Sequence, residues 1–133
     1  MCVLDDGTLS GYLGKMGWKF RPHGASTFRS THASDVGEVE VYLRYDDNWL
    51  IASVVPFLPT RGQNPFELSR WLLRMNRDMR QLKFAYDDDG DVVLTVELPT
   101  ENLDYSELET ALQALLKHAV EHKKSLREAA RAG

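Results

Sequence analysis

Leu82-Lys83-Phe84-Ala85-Tyr86-Asp87-Asp88-Asp89-Gly90-Asp91-Val92-Val93-Leu94-Thr95-Val96-Glu97-Leu98-Pro99 is the stretch that decides the fold. Leu82, Phe84 and Tyr86 recur at every second position, the period of a strand with one buried face. Asp87-Asp88-Asp89-Gly90 is turn chemistry, in which glycine takes a positive φ without a steric penalty. Val92, Leu94, Val96 and Leu98 then alternate back, and Pro99, which cannot donate to a ladder, ends the strand. The stretch predicts an antiparallel hairpin.

Helices are predicted on both sides of it. Upstream, Asn64 suits an N-cap, Pro65 the first helical position and Glu67 the third, a capping-box pattern. Leu68, Trp71, Leu72, Met75 and Met79 make the apolar face of that helix. Downstream, a capping box at Ser106 and Glu109 opens a helix whose face is Leu108, Leu112, Leu115, Leu116, Ala119 and Val120. Glu107 and Glu109 near its start, and Lys123, Lys124, Arg127 and Arg131 near its end, suit the helix macrodipole.

The first half is read in the same way. Leu9, Tyr12, Leu13 and Met16 follow helical spacing, capped by Thr8 or Asp6. Gly11 and Gly14 each cost about 1 kcal/mol relative to alanine, so this helix depends on packing. Pro22 and Gly24 mark a turn, and Thr27 to Thr31 read as an edge strand. Val39, Val41, Leu43 and Tyr45 oppose Glu38, Glu40 and Arg44 across a half-buried strand. After an Asp46-Asp47-Asn48 turn, Trp49 to Leu58 is apolar on both faces: Trp49, Ile51, Val55 and Phe57 against Leu50, Ala52, Val54 and Leu58. Such a strand needs cover on both sides, and in a short chain the second cover can come from another subunit. The order is helix, three antiparallel strands, helix, two-stranded hairpin, helix. That is an α+β fold with an antiparallel sheet flanked by helices.

Composition bounds the function. The 133 residues, 43% hydrophobic, fit one domain spanning 1–133 with an ordinary core. Lys+Arg 16 against Asp+Glu 20 gives a net charge of −4, which provides no global attraction to nucleic acid or to an anionic membrane. A single cysteine, Cys2, excludes an internal disulfide framework and a multi-cysteine zinc site. No apolar run approaches the roughly 20 residues of a membrane helix. Asp5 and Asp6 stand where a signal peptide needs positive charge, so the expected location is cytoplasmic.

Trp71-Leu72-Leu73-Arg74-Met75-Asn76, the hairpin quoted above and Leu103 after it resemble the YbjN family of bacterial proteins, which is similar in fold to the type III secretion chaperones. The shared pattern is a helix ending in Leu-Asn, a Lys-Phe strand, an acidic-Gly turn, an apolar strand and a final amphipathic helix. The resemblance runs from about Asn64 to Leu126, and before Glu38 only the order of elements matches. Asn76 falls on the helix-end asparagine, where a local side-chain bond or a helix-end role is expected. The resemblance implies a homodimeric protein without catalytic residues, and no cofactor is expected. Type III chaperones hold an extended client segment on hydrophobic patches, and YbjN proteins are often described as sensory-transduction regulators.

The candidate partner or dimer surface is Trp49, Ile51, Val55, Phe57 and Leu58 together with Arg70, Arg74 and Arg77 on one face of the second helix. The same arginines could meet a phosphate backbone, but no aromatic platform is interleaved with them, so direct nucleic-acid binding is not favoured. His118-Ala119-Val120-Glu121-His122 has the spacing of H-x-x-E-H metallopeptidases, the alternative being a metal-dependent hydrolase. Zinc would need a further ligand and a shaped cavity, so two spaced surface histidines are the simpler reading and no metal is expected. Aligning Gly90 with the EF-hand glycine puts Ala85 and Val96 at ligand positions, which excludes that calcium loop. Ser30, His32, Ser34 and Asp35 are hydrolase residue types without a nucleophile elbow. The expectation is a non-enzymatic, chaperone-like or regulatory module that binds a client protein.

Overall fold

The computed structural model describes residues 4–58 and 66–132. Elements run α1 (Asp6–Lys15), β1 (Phe20–Pro22), β2 (Thr27–Ser34), β3 (Gly37–Tyr45), β4 (Trp49–Leu58), α2 (Phe66–Asp78), β5 (Leu82–Tyr86), β6 (Val92–Pro99) and α3 (Tyr105–Ala132). The six strands form one antiparallel sheet in the order β1-β2-β3-β4-β6-β5. β6 pairs with β4, so the hairpin returns to the sheet with β5 at its edge.

Strand alternation decides which side is core. Val41 pairs with Val54, Leu43 with Ala52, and Leu50 with Leu98, all on one face and all buried. α3 lies against that face, and its Leu108, Ala111, Leu112, Leu115 and Ala119 are buried. Each fully buried Leu or Val contributes about 1.5–3 kcal/mol of hydrophobic stabilisation. α1 holds through its buried Leu9 and Leu13, and through Tyr12 packed on Tyr105 at 5.8 Å. Its two mid-helix glycines make that packing necessary.

Several expectations need correction. The N-cap of α1 is Asp5, whose carboxylate accepts from the Thr8 amide at 2.7 Å and is held below the usual carboxylate range by that bond. The capping box of α3 is Asp104 with Glu107, two residues earlier than the sequence pattern suggested. Thr27 to Thr31 is interior, because the short β1 pairs outside it, making four strands before α2 where three were expected. The expected N-cap Asn64 and first-turn Pro65 lie outside the described residues.

Asn76 does something local sequence reading does not reveal. Its side chain donates to the Phe84 carbonyl at 3.0 Å and accepts from the Phe84 amide at 2.6 Å. One amide thus closes the outer edge of β5 as a neighbouring strand would. Asn76→Ala should cost about 1–3 kcal/mol, the penalty of leaving part-buried backbone groups unpaired. Urea unfolding checks this, and a loss under about 0.3 kcal/mol would mean that water replaces both bonds.

Candidate protein-binding surfaces

The opposite face of the sheet has no helix over it among the described residues. Register places Ile51, Ser53 and Thr95 near its centre, with Tyr42 and Arg44 on one flank and Lys83 and Glu97 on the other. Trp49 is 45% exposed and Ile51 38%, large apolar groups that a finished core would cover. Ser53 and Thr95 bond each other at 2.9 Å, so the strip between the apolar groups is short and polar but satisfied. Ion pairs border it: Lys83–Glu97 at 2.8 Å and Arg29–Glu40 at 2.6 Å. The Arg29 guanidinium holds the Glu40 carboxyl below its ordinary range. An apolar centre with a charged rim is the composition of a protein interface.

Of the strand residues read as partner surface, Trp49 and Ile51 are exposed and Val55 is half-buried. Phe57 is not on this face, which corrects the sequence reading. The β4–β6 register shifts between Val54 and Leu58, and this irregularity turns Phe57 into the core, 1% exposed and edge-on to Phe84 at 5.3 Å. The Leu58 side chain lies outside the described residues.

Arg70, Arg74 and Arg77 are exposed on α2, as expected. Beside them the structure exposes two apolar groups that the sequence reading left out, Phe66 at 64% and Leu73 at 69%. The Arg70 guanidinium lies over the Phe66 ring at 6.0 Å. The heptad spacing of Phe66 and Leu73, off the Leu68–Leu72 stripe, was the available signal. An open groove of about 310 Å³, lined by Lys19, Phe20, Arg21, Arg29 and Thr31, was also missed. It exists because β1 pairs Arg21 with Arg29, and β1 falls where the sequence is irregular.

The hydrolase-type residues do not assemble a catalytic pair. The Ser30 hydroxyl donates its one proton to the Lys19 carbonyl at 2.8 Å, so it can only accept from His32 Nε2 at 2.8 Å. A nucleophile would need the reverse polarity. Burial pushes His32 below the ordinary histidine range. At the acidic turn, the Asp87 carboxylate accepts from the Asp89 and Asp91 amides at 2.9 and 3.0 Å, and Gly90 has φ 84°. On α3, His118 and His122 are half-buried and Glu121 is exposed.

The CesT_Tir_1 family model matches residues 7–132. The chain belongs to the CesT_Tir_1 family, a type III secretion chaperone family. Solved structures share the fold of this family member. YbjN from E. coli is 15% identical with a TM-score of 0.69, covering 94% of this chain and 96% of that one. The ExsC–ExsE complex gives 22% identity and a TM-score of 0.64 over 90% and 91%. The Yersinia pestis type III secretion chaperone SycH, in complex with a fragment of YscM2, gives 19% and 0.57 over 86% and 96%. No curated protein sequence matches. The α+β, antiparallel, chaperone-like fold read from the sequence is the observed one. Among the described residues no helix is long and apolar enough to cross a membrane.

Proposed function

We propose that this member of the CesT_Tir_1 family is a non-enzymatic, cytoplasmic, single-domain adaptor or chaperone that works as a homodimer and binds a client protein. The observation that carries this is the uncovered sheet face, with Trp49 and Ile51 exposed inside a rim of ion pairs. Structural neighbours found in complexes with protein partners, ExsC–ExsE and SycH with YscM2, support it.

The client occupies the sheet face and the second copy occupies the outer face of α2. The second assignment is supported by self-complementarity. α2 spans Phe66–Asp78, so an antiparallel pair related by a two-fold axis sets Glu67 of one copy against Arg77 of the other, with Leu73 close to the axis. The same axis brings Arg70 of one copy near Arg74 of the other, so the exposed apolar groups Leu73 and Phe66, and not the charges, hold the contact. Light scattering at micromolar concentration tests the dimer: the expected mass is twice the 15.2 kDa of the chain, and the monomer mass would contradict it.

A further inference from the structure

His118, Glu121 and His122 occupy positions i, i+3 and i+4 of α3, and one ligand atom from each lies within 4.8 Å of the others. Helical spacing alone brings such residues near one another. Two features go beyond spacing. His118 Nδ1 and His122 Nε2 share a hydrogen bond at 3.2 Å, so one of the two nitrogens carries a proton that a bound ion would replace. Two nitrogens held at about 2.05 Å on a tetrahedral zinc ion are about 3.3 Å apart, so the pair already has the length of a coordination edge. The second feature is that His122 is fixed from outside the helix. Its ring stands edge-on to Trp71 of α2 at 6.1 Å and to Phe84 of β5 at 6.2 Å, and it stacks on His118 at 5.3 Å. A ligand already locked by packing loses little freedom when the ion binds.

We propose that His118, Glu121 and His122 form a binding site for one divalent transition-metal ion of the zinc class. The two imidazoles and one carboxylate are its protein ligands, and a fourth position is open to water. Imidazole donors select zinc, cobalt, nickel or copper over magnesium and calcium. The exposed Glu121 carboxylate adds the negative charge that two neutral rings lack. Because His122 touches α2 and β5, the ion also ties this turn of α3 to the packing around Trp71 and Phe84.

The test is titration of the full chain with Co²⁺ and then Zn²⁺, on wild type, His118→Gln and Glu121→Gln. His122, whose ring meets Trp71 and Phe84, is left in place, and circular dichroism of the metal-free variants verifies the fold. The expected result is one Co²⁺ per chain, with the intense visible bands of low-coordinate cobalt, displaced by Zn²⁺. Zinc should raise the melting temperature of wild type. His118→Gln should weaken zinc binding about tenfold or more, and Glu121→Gln severalfold. No saturable binding by about 1 mM Zn²⁺, a millimolar ceiling that leaves little affinity, would overturn the proposal. So would an affinity unchanged by either substitution, which would put the ion on His23, His32 or Cys2 instead.

Discussion

Leu73→Asp is expected to turn the dimer into a monomer while leaving the fold intact. Leu73 is 69% exposed in the single chain, so its replacement removes little core, and stability should change by no more than about 0.5 kcal/mol. In a two-fold contact every substitution acts twice. Two carboxylates brought together near the axis, each replacing an apolar group, should cost about 4 kcal/mol, roughly a thousandfold in the dimer dissociation constant. Sedimentation or light scattering across a concentration series reads this directly. A variant that stays dimeric at the wild-type concentration would move the contact away from α2.

Phe57→Ala has the opposite signature. Phe57 is 1% exposed and packs edge-on against Phe84 at 5.3 Å, so truncation leaves a cavity beneath the β4 irregularity. The expected loss is about 3–5 kcal/mol. That is a large share of the roughly 5–15 kcal/mol that holds a typical domain. Urea unfolding should show a lowered midpoint with a similar slope. A loss below about 1 kcal/mol would contradict the burial of the ring. Phe57 and Ile51 are six positions apart on one strand by sequence number, yet they serve different faces. Substitution at Ile51, 38% exposed, should leave stability near wild type.

Much of this was legible in the chain because period and burial agree. The alternation of Val39, Val41 and Leu43, and of Val92, Leu94, Val96 and Leu98, names the core face residue by residue. The two-faced apolarity of β4 pointed to a strand that needs cover on both sides, and among the described residues no helix covers the face that carries Trp49 and Ile51. Phe57 was misplaced because period-two reading assumes unbroken register, and a bulge reverses every later side chain without a local signal strong enough to see. β1 was missed because three residues, Phe20–Pro22, are too few to show a period. The groove beside it went with it. The α3 capping box was displaced because Asp104 and Glu107 compete with Ser106 and Glu109 for one pattern. The bond from Asn76 to the β5 edge joins residues eight apart through tertiary packing, where propensity gives no information. Phe66 and Leu73 were passed over because single exposed apolar groups are common, and only their shared face with the arginines gives them meaning.

The central claim is that the uncovered sheet face binds a protein, and cross-linked affinity capture tests it most directly. Wild type and Ile51→Asp would be used as bait in a lysate of the source organism, with the cross-linked peptides mapped by mass spectrometry. The account predicts one dominant partner linked to Lys83, which lies on that face. That partner should be lost from the Ile51→Asp bait, while the bait's melting temperature stays near wild type. A partner captured equally by both baits, or linked only to residues away from Trp49–Val55 and Lys83, would contradict it.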